Sequence, residues 1–505
     1  MRAKYQKRMA GLVASGLSAV ALLHSPASWG QDPFPEIETP SETESQLPTA
    51  PASAADLIPL NPDPKLLDVP TTEEQVTIDL DQPITLEQAL ELAQRNNRDV
   101  QVAELQLQQS QSELREAEAA LLPTASAQAG FTRNEILISP DTPDIPSPIP
   151  GGPVTPGVST TGVTDTLSTS VQLSYDVFTS GQRSASIRAA EAAIRAAEDT
   201  LDTELQDLRL DVSNDYYDMQ QTNELVRIAQ ASVDNAQRSL QDTQALERAG
   251  LGTKFDVLQA EVQLSDLQQQ LTEAIGQEEI TRRQLSETLS IRETATLSAA
   301  DPVETAGTWP LSLEKSIALA LQNRSELAEI LEQRQIAQQN RRLIRGSFGP
   351  QASVSASASF AEDIGDDLSG QLGYTAGGQV TKLIFDGGAT RANAKQQELS
   401  VAIAETQFAN FKNLVRFQVE QNYFTLKSSF DNIQTNERAV EQAEESLRLA
   451  RLRFQAGIGT QLEVSNSETD LTRAQSNLLS ATIDYNRALI SLQRFVGRRN
   501  IADAS

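Results

Sequence analysis

The sequence predicts a mainly α chain with a smaller β part, built as two copies of one unit. Three observations predict this. Long stretches without Pro or Gly carry apolar residues at every seventh position. Four short segments alternate apolar and polar side chains. The motifs around both kinds of segment recur, in the same order, in the two halves of the chain.

Residues 1–30 read as a signal peptide. Arg2, Lys4, Lys7 and Arg8 precede an apolar run from about Met9 to Leu23, and Ser28-Trp29-Gly30 offers a small-x-small cleavage site. The run is shorter than the ~20 residues a spanning helix needs. Cleavage removes His24, the one His of the chain, and there is no Cys. Nucleophilic catalysis through His or Cys, and zinc sites built from N or S ligands, are thereby excluded. No carboxylate pair clusters in a plausible pocket either, so no catalytic residue, metal or cofactor is expected. A formal charge of −28 also disfavours nucleic acid, whose phosphates need Lys and Arg. Residues 31–78, rich in Pro, Glu, Asp, Ser and Thr, hold too little apolar surface to offset ordering and read as an acidic, disordered linker.

The first repeat is expected over 79–300 and the second over 301–498, with 499–505 as a tail. "ITLEQALELAQRNN" from Ile84 matches "LSLEKSIALALQNR" from Leu311, and Pro123 matches Pro350 at the same spacing. Phe178 and Gly181 match Phe385 and Gly388 at the spacing that carries Gly250 and Gly252 onto Gly457 and Gly459. The first copy is longer by a Pro- and Gly-rich loop, residues 139–165, which can be neither helix nor strand.

Each copy opens with a helix, expected from about Thr85 to Leu121 and from about Ser312 to Ser347. Thr85 and Ser312 are natural N-caps. Strands follow. Ala125, Ala127, Ala129 and Phe131 alternate with Ser126, Gln128 and Gly130; Val354, Ala356, Ala358 and Phe360 alternate with serines. Beyond the loop, Leu167, Val171, Leu173, Tyr175 and Val177 share one face and Ser168, Ser170, Gln172, Ser174 and Asp176 the other. A fourth strand, from about Gln371 to Phe385, is less regular: Gly377-Gly378 suggests a bulge, and Lys382 falls on its apolar face.

The helix from about Arg183 to Arg248 would reach roughly 100 Å. Its heptad runs Leu205, Val212, Met219, Val226, Val233, Leu240, and the second copy answers with Val419, Leu426, Ile433, Val440, Leu447, Phe454. Coiled-coil packing follows. "AGLGTKFDV" and "AGIGTQLEV" then end each outgoing helix. Gly250 and Gly457 supply the left-handed residue that closes a helix. Gly252 and Gly459 turn the chain. Thr253 and Thr460 cap the return helices, expected over Lys254 to Ile291 and Gln461 to Phe495.

Strands with an apolar outward face can stand in lipid only in a closed sheet. The smallest bacterial barrels have about eight strands, so four per chain demand several copies. The polar face of Ser, Thr, Gln and Gly suits a wet lumen, and the signal peptide and missing Cys agree with an outer membrane. A soluble periplasmic coiled-coil scaffold and an export adaptor are the alternatives. The duplication argues against both, as do four strands placed between helices.

These residues resemble the TolC family of outer-membrane efflux channels over about Thr85 to Gly497. The resemblance rests on "TLEQALELAQRNN" and its copy, on the strand-to-helix junctions "YDVFTSGQR" and "KLIFDGGATR", and on the two glycine turns. It implies a homotrimer in which a twelve-stranded outer-membrane β-barrel continues into a twelve-helix periplasmic tunnel. It further implies passive conduction, with a periplasmic adaptor (membrane fusion) protein and an inner-membrane pump of the ABC or RND type as partners. The cargo would be small molecules or secreted, unfolded protein.

The same resemblance makes Gly250, Gly252, Thr253, Gly457, Gly459 and Thr460 the adaptor-docking tips. It places the aperture's acidic ring at Glu463 and Asn466, of which one is an acid here. Asp256 corresponds to an acid that anchors an inter-helix link. The basic partner expected beside the second turn is Gly459 instead, which leaves Lys254 as a candidate partner for Glu463.

Overall fold

Thr85 stops the first strand and starts the first helix, and most boundaries in this chain follow from such local caps. The computed structural model describes residues 80–136, 162–292, 294–363 and 370–497, with 60, 67, 69, 71–73 and 76–77 before them. All lie in the unit Ser53–Ser505. The expected signal peptide, the tail at 499–505, most of the acidic linker and most of the loop at 139–165 lie outside the described residues.

The elements run β1 (Leu80–Ile84), α1 (Leu86–Asn96), α2 (Arg98–Ala119), β2 (Thr124–Ile136), β3 (Gly162–Phe178), α3 (Gln182–Arg248) and α4 (Lys254–Thr288). The order then recurs: β4 (Ala295–Ala299), α5 (Leu313–Asn323), α6 (Ser325–Ser347), β5 (Gln351–Asp363), β6 (Gln371–Thr381), α7 (Ala389–Gln455) and α8 (Gln461–Val496). Both long helices, α3 and α7, have 67 residues.

Two expectations fail at the opening helices, which are each split. Asn97 is extended (φ −60°, ψ 134°), and its Oδ1 accepts from the N–H groups of Asp99 and Val100, so it caps α2 while ending α1. Arg324 makes the same break in the second half (φ −70°, ψ 116°). There the side chain is held by Glu326 two residues on, at 2.7 Å, and by distant groups: Gln418 Oε1 at 3.1 Å and the rings of Phe411 and Phe495 at 5.6 and 5.4 Å.

β2, β3, β5 and β6 form one antiparallel sheet in that order. Its register keeps the alternation intact. Ala125 pairs with Leu173 and Ala127 with Val171; Leu173 pairs with Ala356, and Ala356 with Ala376. Ser126 opposes Gln172, which opposes Ser357. The expected bulge at Gly377-Gly378 is absent: these residues pair in register with Ser355 and Val354. The irregularity falls in β3 between Asp176 and Phe178 instead, where the chain leaves the sheet for α3. β6 ends at Thr381, so Lys382 follows the strand and does not interrupt its apolar face.

β1 and β4 form a separate parallel pair that sequence periodicity does not reveal. Asp301 ties it to α3: its Oδ2 accepts from Tyr216 Oη at 2.8 Å and from the Leu86 N–H at 2.8 Å. Leu60, in the acidic N-terminal stretch, is fully buried against this core.

Near the sheet, α3 packs along α2 and α6, and α6 along α7. Towards the glycine turns, α3 packs along α4 and α8, and α8 along α7. The outer members are therefore α2 and α4 on one side and α7, along its whole length, on the other. The heptad residues Val212, Met219, Val419, Leu426, Ile433 and Leu447 are buried in these seams. No helix among the described residues is long and apolar enough to cross a membrane.

Candidate functional site at the helical turns

Both turns are Schellman closures. Gly250 (φ 72°) and Gly457 (φ 73°) take the left-handed position. Their N–H groups bond to the carbonyls of Glu247 and Phe454, and the next N–H groups, of Leu251 and Ile458, reach Leu246 and Arg453. The second glycines answer a different need. A Cβ on Gly252 would lie 3.2 Å from Glu247 N, and one on Gly459 would lie 3.0 Å from Phe454 N and Arg453 Cβ. Here the chain folds back against the helix it has just left.

The two caps then differ. Thr253 and Asp256 form a reciprocal capping box: Asp256 N–H donates to Thr253 Oγ1 at 3.2 Å, and Thr253 N–H to Asp256 Oδ2 at 3.0 Å. Asp256 therefore serves its own helix start, where an inter-helix link was expected. Thr460 accepts from Glu463 N–H at 3.2 Å, but the Glu463 carboxylate does not return the bond. It reaches Arg453 across the turn at 3.7 Å. Within this chain Glu463 thus pairs inside its own hairpin, and Lys254, its candidate partner, is exposed. Asn466 is exposed, one turn further along α8.

Sequence reasoning missed the residue most tightly engaged here. Gln461, first in α8, is 2 % exposed. Its Nε2 donates to Ser239 Oγ at 2.9 Å, and its Oε1 accepts from Thr243 Oγ1 at 3.2 Å, both on α3. A Gln at the start of a helix carries no signal of burial, so nothing in the sequence pointed to it. Glu468 lies behind it, paired with Arg451 at 3.0 Å. Burial pushes its carboxyl above the ordinary range, and the guanidinium opposes that shift.

Leu251, Phe255 and Ile458 are exposed at the turns (79, 71 and 72 %). Phe255, Leu258 and Val262 continue inward along α4 and face Ser465 and Thr469 of α8 across an open groove of 650 Å³. The turns thus present backbone, apolar knobs and exposed charges, Lys254 and Arg453 among them. No group of His, Cys, Asp and Glu suited to a metal occurs among the described residues.

Residues 89–290 and 316–498 match the family described as outer membrane efflux protein. The chain is 26% identical over 424 residues to the pyoverdine export outer membrane protein OpmQ of Pseudomonas aeruginosa, covering 82% of this chain and 85% of that one. It is 24% identical over 352 residues to the outer membrane protein TolC of Vibrio cholerae, covering 66% and 77%. Among solved structures, the fold is similar to the outer membrane protein VceC of Vibrio cholerae (TM-score 0.69, 19% identity, 82% of this chain and 96% of that one). It is also similar to CusC (TM-score 0.70, 19% identity, 90% and 99%).

Proposed function

Because this chain belongs to the outer membrane efflux protein family, we propose that three copies close into the exit channel of a tripartite export system. The protein is an outer-membrane channel, and conduction through it is passive; no catalysis is assigned. The finer reading is that duplicated subunits each supply four strands to a twelve-stranded barrel and four helical segments to a periplasmic tunnel.

One observation carries the assembly. The sheet has two outer strands, β2 and β6, with no strand beside them among the described residues. Such edges are tolerated in lipid only if paired. The helical layer is open at the same places: α2 and α4 on one side, α7 on the other. Val102 and Leu105 of α2 are exposed, as are Ile403, Leu414, Phe417 and Phe424 of α7. Pairing β6 with β2 of the next copy would cover both layers at once, which makes the contact head-to-tail and ring-closing.

The apolar face, with Leu173, Val171 and Tyr374, would then meet lipid, and the Ser- and Gln-lined face the lumen. The turns, with Gly250, Gly252, Thr253, Gly457, Gly459 and Thr460, would form the periplasmic mouth that meets an adaptor. Glu463 and Asn466 would line its aperture, with Asp256 and Lys254 at the neighbouring tip. An inner-membrane pump of the ABC or RND type would drive transport. The relative OpmQ is named for pyoverdine export, and by that likeness we read the cargo as small molecules rather than secreted protein.

Outer-membrane fractions run on SDS gels without heating test the assembly: a band at three times the monomer mass, collapsing on boiling, is expected. A monomer in the soluble fraction would instead favour the periplasmic scaffold. Deleting the gene should raise sensitivity to small toxic compounds and leave the secreted-protein profile intact; the reverse result would reassign the cargo.

A further inference from the structure

We propose that Arg183 and Lys382 bind the phosphate groups of anionic phospholipid at the helical rim of the four-stranded sheet. This rests on the channel reading above, in which the apolar face of that sheet meets lipid. The two ends of the face differ in charge. Beside the loops, the alternation that carries Phe131 and Leu167 reaches Glu135, Asp165 and Glu362, with Arg133 paired to Asp165 at 3.7 Å. Beside the helices, it runs through the rows Tyr175, Val354, Gly378 and Phe178, Ala352, Val380, and none of these is an acid.

Two cations stand at that helical end. Arg183 leaves the first turn of α3, and its guanidinium lies over the Tyr175 ring at 5.5 Å while donating to the Asp176 carbonyl. Tyr175 belongs to the apolar face, so the guanidinium is placed on the lipid side. Lys382 follows Val380 by two residues, just past the end of β6, and is exposed. The acids nearest to them in sequence are turned elsewhere. Asp176 lies opposite Ser353, on the polar face. Asp386 accepts from the N–H groups of Gly388 and Thr390 at 2.9 and 2.7 Å. In a chain of formal charge −28, this rim carries a local excess of positive charge.

Apolar surface surrounds both cations. Phe178 and Val380 are exposed, as are Ile384 and Phe385 beyond the strand (84 and 82 %). A headgroup region suits this mixture: the side-chain stem packs against acyl chains, and the charged tip reaches the phosphates. Only β5 separates β3 from β6, so the strand ends beside the two cations lie roughly 10 Å apart, two strand spacings. Between them Ala352 and Gly378 carry the smallest side chains of the two rows, which leaves space for a headgroup. Arg183 keeps further N–H groups for a phosphate, and Lys382 acts as a point charge. A zwitterionic headgroup brings its own cation to the same place, so a net anionic lipid is the better fit.

Full-length protein purified in detergent is heated with phosphatidylglycerol, phosphatidylcholine or inorganic phosphate, and the loss of the SDS-resistant assembly is followed. Phosphatidylglycerol should raise the wild-type midpoint. Arg183→Gln combined with Lys382→Gln should raise the lipid concentration needed by about tenfold. Lys382→Arg keeps the charge and should keep the effect, as should Arg248→Gln, which removes a charge beside the first glycine turn. An equal rise with phosphatidylcholine or with inorganic phosphate alone overturns the site, and so does a full response in the double variant. If the double variant fails to assemble, Lys382→Gln compared with Lys382→Arg decides alone. A wild-type chain that stays soluble and monomeric without detergent would instead overturn the channel reading itself.

Discussion

Arg494 Nη2 and Glu326 Oε1 lie 2.7 Å apart, and the same oxygen accepts from Arg324 Nη2 at 2.7 Å. One carboxylate thus serves two arginines that are 6 % and 4 % exposed. Burial alone would raise the Glu326 pKa, but both guanidinium groups act against it and hold the group down at about 2. Glu326→Gln leaves those cations undercompensated and should cost about 3–5 kcal/mol, the range for breaking a buried pair. The sign with pH follows from the depressed value. The contribution is present above the ordinary 4.5 and is lost as pH falls towards about 2. Melting curves of variant and wild type should therefore converge across that window. A constant gap would remove the ionised carboxylate from the account.

Asp199, on α3, titrates in the opposite sense. Burial pushes it up to about 6, and Glu332, Glu329, Asp202 and Glu198 add to the shift. An acid with a raised folded-state pKa binds its proton more tightly in the folded chain. Stability then falls as pH rises from the ordinary 3.8 through about 6. Asp199→Asn should raise the melting temperature above that window and give no gain below it. Equal stabilisation at both ends of the range would show that the charge is not the cause.

The two glycines of each turn should fail differently. Gly457 is left-handed, with nothing within 4 Å of a built Cβ, so Gly457→Ala should cost about 1–2 kcal/mol of backbone strain alone. Asn tolerates that conformation, and Gly457→Asn should recover most of the loss. Gly459 is limited by the 3.0 Å approach to Phe454 N and Arg453 Cβ. Gly459→Asn should therefore be no better than Gly459→Ala. Thermal denaturation of the four variants separates the two mechanisms; rescue by Asn at both positions would contradict it.

The parts of the fold legible in the sequence are those governed by near neighbours. Gly250 and Thr253 declare a turn and a cap within a few residues, and Leu173 declares its face through Val171 and Tyr175. The split of the opening helices was not legible, because its causes are of two kinds. Asn97 caps α2 with its own side chain, but in the sequence it stands among helix formers. Arg324 is held at its break by Glu326 two residues on and also by Phe411, Gln418 and Phe495, and these last three come near only once α7 and α8 have docked. The strands β1 and β4 are five residues each and show no alternation. At the second turn, the cap Thr460 follows from its place after two glycines, whereas the partners of Gln461 lie on another helix. The pair of Glu463 with Arg453 was equally unreadable, because it is the turn that brings the two together.

Glu463 carries the last prediction. Its pair with Arg453 is long, at 3.7 Å, and both side chains are well exposed (43 and 57 %), a geometry worth little in water. The carboxylate is thus open to solvent, and in the proposed channel it would meet whatever passes the mouth. In a threefold assembly three such groups would lower the local potential and favour cations. Glu463→Gln should reduce cation-over-anion permeability and relieve block by divalent cations in planar bilayers. Asn466→Asp, which adds a second exposed acid one turn along α8, should strengthen both. Reversal potentials and divalent block that are unchanged in Glu463→Gln would place the selective constriction elsewhere in the channel.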